Sequence, residues 1–380
     1  MVKIFVTGDN HIGRKYDRYP EIKEKLIESR FDCLKDMVIK AENEGCDFFV
    51  ITGDLFDNNN SIRVGDVKRV VKILSVFNGR VLVLPGNHDY YTGDNKVWRD
   101  FENALSSMDH NIIILNEFRA YSFDDVGDKD IKIFPAFCQD KHSEENNLGW
   151  IKNSDIEVAE DINIGIAHGA LKGITPDMRE EYFLMSEREL MDIPVDVWLI
   201  GHTHIAYPAD LDVIKETTGY KIFNAGTHEQ TDLHNNSEGN GFIIRIEKTD
   251  GKATVYAKKY ISGKIRYYDI KVQLGTGKSL REALEEAAEG CIKNSVVRVN
   301  ISGTIPKIEY EDRNKIYEEM LGHYLFYEVN DYELSEEITL DTIRAEFAET
   351  SFAAQFMEQL INDPVELQMA YTMLHECMEG

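Results

Sequence analysis

Five short segments carry side chains that bind divalent cations: Asp9-Asn10-His11, Gly53-Asp54-Leu55-Phe56-Asp57, Gly86-Asn87-His88-Asp89, Ala167-His168-Gly169 and Gly201-His202-Thr203-His204. Each follows an apolar run that reads as the end of a strand, the place where open α/β sheets put their sites. One such segment alone reads as a turn or a satisfied polar pair. All five together are hard to explain structurally, because burying so many carboxylates, imidazoles and amides without a cation would be costly. Two divalent ions roughly 3.5–4 Å apart could polarise a phosphoryl oxygen and lower the pKa of a bound water enough to supply hydroxide near neutral pH. Imidazole mixed with carboxylate suits manganese, iron or zinc better than calcium or magnesium, which prefer oxygen ligands throughout. His88, between Asn87 and Asp89, is placed to reach a transition state or a leaving oxygen without itself binding metal. Asp89 is expected to orient it, with a turn cap as the plainer alternative.

The elements that must position these residues alternate. Met1–Val6, Asp47–Ile51, Arg80–Leu84, Ile112–Leu115, Ile131–Phe134, Ile162–Ala167, Val195–Ile200 and Lys221–Asn224 read as strands, and Glu21–Glu44, Val64–Phe77 and Val97–Met108 as helices. Short apolar strands alternating with helices imply buried sheets flanked by helices, an α/β class. Phe242–Glu247 and Ala253–Tyr260 read as an antiparallel pair joined through Asp250-Gly251. From about residue 263 the pattern restarts: strand Ile265–Leu274, helix Ser279–Lys293, strand Ser295–Ser302, helix Tyr310–Tyr324 and strand Leu325–Val329, a small α+β unit. After Asn330 two helices are expected, Leu340–Ile361 and Pro364–Glu379, the second started by Asp363 as N-cap with proline at the first helical position. Leu367, Ala370, Tyr371, Leu374, Cys377 and Met378 share a face of that last helix, to pack on the chain itself or on a partner.

The chain has 380 residues, enough for two or three domains, and 43% of them are apolar without any stretch long enough to span a membrane. Met1–Thr7 lacks the basic start and long apolar core of a secretory signal, and the five cysteines are scattered. Both point to a soluble cytoplasmic protein with no membrane association. The formal charge is −26, and residues 331–380 alone carry twelve Asp and Glu against the single Arg344. That balance is unusual for a binder of polyanions, which generally shows a basic footprint. Arg14, Lys15 and Arg18 supply a local basic cluster beside the first segment and are candidates for contacting an anionic substrate.

In order and spacing the five segments resemble the calcineurin-like metallophosphoesterase superfamily: Asp-x-His, Gly-Asp, Gly-Asn-His-Asp, a lone His and Gly-His-x-His across residues 9–204. The resemblance implies that Asp9, His11 and His204 hold one metal and that Asn87, His168 and His202 hold the other. Asp54 would bridge the two, with manganese the first choice of ion. It also implies that His88 stabilises charge on phosphorus or protonates the leaving group. Within the superfamily, Asp9-Asn10-His11-Ile12-Gly13-Arg14, Gly53–Asp57 and Phe223-Asn224-Ala225-Gly226-Thr227 followed by Glu238 and Gly241-Phe242 look like the SbcD-type DNA repair nucleases.

That narrower resemblance implies a metallophosphoesterase sandwich of two β-sheets flanked by helices over residues 1–262. A small capping domain would follow at 263–330, and a helical segment at 331–380 that binds an SbcC-type coiled-coil ATPase. The expected activity is exonucleolytic or endonucleolytic hydrolysis of DNA by a metal-activated hydroxide, with a homodimer as a further family expectation. A phosphatase or phosphodiesterase acting on small nucleotides is the enzyme alternative, and a noncatalytic scaffold is the reading of a different class. His228 and His234 follow Gly226 and are expected in a surface loop.

Overall fold

Side chains along the apolar runs alternate between two cores, and that alternation sets the layers. A computed structural model describes residues 1–126, 130–174, 181–275 and 278–379, apart from the side chains at positions 364, 365, 378 and 379. Its strands up to residue 261 are β1 (Val2–Thr7), β2 (Phe48–Ile51), β3 (Arg80–Val83), β4 (Ile112–Ile114), β5 (Tyr121–Phe123), β6 (Ile131–Ala136), β7 (Ile162–His168), β8 (Val197–Gly201), β9 (Thr217–Thr218), β10 (Ile222–Asn224), β11 (Asn240–Thr249) and β12 (Lys252–Ile261). The helices in the same stretch are α1 (Lys23–Asn43), α2 (Val64–Leu74), α3 (Lys96–Leu105), α4 (Gly149–Lys152) and α5 (Glu187–Met191).

One sheet runs β4-β3-β2-β1-β11-β12-β9 and the other β10-β8-β7-β6-β5. Val2, Ile4 and Val6 of β1, Phe48 and Val50 of β2, Ile162, Ile164 and Ile166 of β7 and Val197 and Leu199 of β8 form one core between the sheets. The intervening Phe5, Phe49 and Ile51 pack outward with Leu34, Val70 and Phe101 of α1, α2 and α3. On the far side, Phe134, Trp198 and Ile200 pack with Ile151 of α4 and Leu190 of α5. The result is a four-layer helix–sheet–sheet–helix sandwich, the expected α/β class. β1, β2 and β3 are mutually parallel, as are β6, β7 and β8, so the C-terminal ends of each set share an edge.

The chain divides into Met1–Tyr267 and Tyr268–Gly380. The second unit is built around a sheet ordered β13-β14-β15, with β13 (Arg266–Leu274), β14 (Ser295–Ile305) and β15 (Phe326–Glu336). Its helices are α6 (Leu280–Ala287), started by a Ser279–Glu282 capping box, and α7 (Lys307–Leu321). Two expected boundaries move. β15 continues past residue 330 because Leu334 turns into the core and Glu333, Leu334, Ser335 and Glu336 pair with β14. The single helix expected over Leu340–Ile361 is two, α8 (Leu340–Glu346) and α9 (Phe352–Leu360), because Ser351 caps a new start by accepting from the Ala354 N–H. In α10 (Pro364–Glu379), Leu367, Tyr371 and Leu374 pack with Ile343, Phe347 and Met357 of the same unit. The side chain of Met378, expected on that face, lies outside the described residues. No helix of the described residues is long and apolar enough to cross a membrane.

Candidate metal centre

The five segments meet where the parallel strands of the two sheets end. Asp9 and His11 follow β1, Asp54 follows β2, Asn87 and His88 follow β3, His168 ends β7, and His202 and His204 follow β8. Two contacts join the sheets: the His202 N–H donates to Asp9 Oδ1 at 3.0 Å, and His168 Nδ1 lies 2.8 Å from the Thr52 carbonyl. The turns are tight. Seven described non-glycine residues have positive φ, and four of them are Asp9 (49°), His11 (42°), Asp54 (51°) and His202 (100°). Backbone strain of this kind persists only where surrounding structure enforces it, and it gathers at functional sites. Gly53 (φ 110°) has no such choice, since a Cβ there would collide with the His168 ring.

Three groups of donor atoms form among the described residues; His11, Asp57 and His88 make one that shares His11 with another, and the other two hold the expected ligands. Those of Asp9, His11 and His204 all lie within 4.8 Å of one another, as do those of Asp54, His168 and His202. His11 Nε2 and His204 Nε2 approach to 3.0 Å. Asn87 Oδ1 lies 3.0 Å from both His168 Nε2 and His202 Nδ1, and Asn87 Nδ2 donates to the Lys141 carbonyl at 3.4 Å, which fixes the amide with its oxygen inward. Asp54 Oδ2 stands between the sets, 3.8 Å from His11 Nε2 and 3.4 Å from His168 Nε2.

The donor chemistry fits a pair of divalent ions. His168 donates Nδ1–H to Thr52 O, the outer hydrogen bond that metal-ligating histidines use, which turns Nε2 inward. Burial works against its charge, but Asp54 and Asp9 hold it up to about 9, so a bound cation would take the place of the Nε2 proton. Asp57 stands behind His11 as a nearby carboxylate, with Oδ1 3.5 Å from Nδ1, a charge contact without a formed hydrogen bond. Burial works against the Asp54 carboxylate, but His168 and then His11 hold it well below the usual range. Burial keeps His11 and His204 low and therefore neutral, the form that ligates. Burial pushes Asp9 up to about 7, and repulsion from Asp54 adds to it, a cost that bound cations would relieve.

Asp89 does not orient His88. Its carboxylate accepts the Gly86 N–H at 2.7 Å and the Phe56 N–H at 3.0 Å, tying the loops after β2 and β3 together. The group beside His88 Nδ1 is the Asp57 carbonyl, at 3.0 Å. Asp89 is thus a loop clamp, because two buried N–H groups needed an acceptor. Asp89→Ala should lower folding stability by about 1–3 kcal/mol per orphaned N–H, read as a fall in the denaturant midpoint at unchanged m-value.

A cavity of about 680 Å³ opens over the centre, lined by Asp54, Asn87, His88, His202 and His204 at one end. The rest of the lining mixes apolar Ile205, Ala206 and Ala209 with polar Tyr182, Thr203, Thr231, His234, Asn235, Asn236, Ser237 and Asn240, the carboxylates of Asp232 and Glu238, and Lys259. Arg14, Lys15 and Arg18 are not part of that lining. Arg14 reaches the rim through Asp232 at 3.6 Å, and Arg18 lies over the Tyr19 ring. Lys259, which the sequence reading passed over, is the one Lys or Arg among the described residues that line the cavity. His228 is fully buried against the Arg30 carbonyl at 2.9 Å instead of in a surface loop, whereas His234 is exposed and lines the cavity.

A family model described as calcineurin-like phosphoesterase matches residues 2–206. The chain is similar to a Bacillus subtilis (strain 168) protein called uncharacterized metallophosphoesterase YhaO, 27% identical over 206 residues that cover 52% of this chain. The match spans 47% of that relative, so the chain accounts for about half its length. Among solved structures it is similar to the calcineurin-like phosphoesterase YfkN of Bacillus subtilis, with TM-score 0.40 and 14% identity over 69% of this chain and 90% of that one. It is also similar to TT1561 of Thermus thermophilus, with TM-score 0.38 and 12% identity over 67% and 97%. With the matched residues carrying both donor sets, the chain belongs to the calcineurin-like phosphoesterase family.

Proposed function

We propose that this phosphoesterase hydrolyses DNA phosphodiester bonds as an SbcD-type exonuclease or structure-specific endonuclease, with manganese as its ion. The observation that carries the reading is the extent of the cavity beyond the donor sets. One phosphate needs only the end at Asp54, Asn87 and His202. The remaining lining, in which hydroxyls, side-chain amides and Lys259 stand beside apolar Ile205 and Ala209 and the carboxylates of Asp232 and Glu238, gives room for a substrate that continues past the scissile group, with Lys259 the cation that would meet its further negative charge. Asp9, His11 and His204 would hold one ion, and Asn87, His168 and His202 the other, with Asp54 shared. Bound ions supply Lewis acidity and an activated water; the chain's own work is to fix their positions, align the phosphate and present His88 to the leaving oxygen. Phe352, Phe356, Met369 and Met373 of α9 and α10 remain exposed, an apolar surface that a coiled-coil ATPase of the SbcC type would bury.

A phosphodiesterase for small nucleotides is favoured by one observation, the net charge of −26, which repels a long polyanion more than a short one. Manganese-dependent turnover of single-stranded and double-ended DNA beside bis-para-nitrophenyl phosphate separates the two. DNA degradation that disappears in His88→Ala supports the nuclease, and turnover of the small diester alone supports the alternative. Lys259→Met should raise KM for an oligonucleotide roughly 10-fold with kcat held, the worth of about 1.5 kcal/mol for a hydrogen bond to a charged group, and raise it less for the small diester. Equal oligonucleotide KM in variant and wild type removes Lys259 from substrate binding.

A further inference from the structure

The turn that carries Asp9 and His11 points its peptide carbonyls away from the donor sets and into the protein. Asp9 and His11 are both left-handed, and Asn10 between them is fully buried. In that conformation the carbonyls of Asp9 and Asn10 meet α1, where helix backbone offers them no donor. Arg30 of α1 meets them instead. Its Nε donates to Asn10 O at 2.8 Å and its Nη2 to Asp9 O at 3.4 Å, while Nη1 reaches the Tyr16 hydroxyl at 3.1 Å. Nη2 is also 3.4 Å from Thr227 Oγ1, which lies 3.0 Å from the same Asp9 carbonyl.

Arg30 is 1% exposed, and a buried guanidinium has to be matched by well-placed acceptors. An apolar side chain would fill the same helix position without that requirement. What an apolar residue cannot supply is a rigid fork of donors, and a lysine offers a point charge in its place. The second donor set has separate supports: Thr52 O behind His168, Lys141 O behind Asn87, and Gly86 and Phe56 clamped by Asp89. It touches the 9–11 turn through the His202 N–H on the Asp9 carboxylate and through the backbone, where the Asp9 N–H donates to Gly53 O at 3.0 Å and the His11 N–H to Asp54 O at 2.9 Å. These bonds hold the N–H side of the turn and leave its carbonyl side to Arg30.

We propose that Arg30 is a positioning residue for one half of the metal centre: it holds the 9–11 turn left-handed so that Asp9 and His11 face His204. This rests on those three residues being ligands. Removing the fork weakens the ion held by Asp9, His11 and His204 and spares the ion held by Asn87, His168 and His202.

Manganese titration calorimetry, with bound metal counted by elemental analysis, tests this on the full chain. Wild type should take up two ions. Arg30→Met should keep one and bind the second about 10- to 100-fold more weakly, the range for losing an outer partner of a metal ligand. Arg30→Lys should fail to restore it, and Thr227→Val should weaken it in the same direction. Leu34→Ala, a buried change on the same helix, controls for general destabilisation and should leave both affinities as they were. If Arg30→Met does not fold, Arg30→Lys and Thr227→Val decide. Two ions bound at wild-type affinity in a folded Arg30 variant, or equal weakening in Leu34→Ala, overturns the proposal. Fewer than two ions in wild type overturns the ligand assignment itself, and the proposal with it.

Discussion

Asp54→Ala should strip both metal positions in one substitution, leaving purified protein with almost no bound manganese and phosphodiesterase activity down at least about 10³-fold, the upper end for removing a single transition-state stabiliser. Asp54 Oδ2 faces His168 Nε2 at 3.4 Å and His11 Nε2 at 3.8 Å, one from each donor set. Its Oδ1 accepts the His88 N–H at 2.8 Å, so the same side chain also fixes the loop that carries His88 and Asn87. Ablation of Asp9 or His168 touches one set each and should leave one ion. Elemental analysis of gel-filtered protein, beside thermal unfolding to show that the fold survives, checks the result. Two ions retained in Asp54→Ala would show that this carboxylate does not bridge.

The candidate ligand residues that meet in the fold carry a local signal in the sequence: each sits just past an apolar strand, and most follow a glycine, as at Gly53, where a Cβ would collide with the His168 ring. The strands were legible for the same reason, since alternate residues of β1 and β2 fill two different cores. What lacked a local signal was missed. Asp89 stands next to His88 in sequence, yet its carboxylate serves Gly86 and Phe56, and only the folded loops show that these N–H groups compete for it. Arg30 lies in a charged helix where an arginine ordinarily faces water; its burial follows from the turn at residues 9–11, which α1 reaches only after folding. Lys258 and Lys259 are neighbours on β12 with opposite faces. One pairs with Glu44, the other lines the cavity, and register against β11 decides which. The acidic run after Asn330 hid the end of β15, because a net charge conceals a single inward leucine, Leu334.

His88→Ala should keep both ions and lose chemistry, by about 10²–10⁴-fold for a DNA phosphodiester, the usual worth of a positioned proton donor. His88 belongs to neither set that Asp54 links, although it also groups with His11 and Asp57, and it lines the cavity beside Asn87 and His204. Its Nδ1 lies 3.0 Å from the Asp57 carbonyl, which can only accept, so Nδ1 carries a hydrogen and Nε2 is the atom left for the substrate. From there Nε2 is the atom that could hand a proton to a departing oxygen. The size of the loss should therefore depend on what departs. A sugar alkoxide needs that proton, whereas para-nitrophenolate is stable as an anion, so bis-para-nitrophenyl phosphate should suffer much less than DNA in the same variant. Equal losses on both substrates would assign His88 to stabilising charge on phosphorus instead of protonating the leaving group, and full activity on DNA would remove it from the reaction.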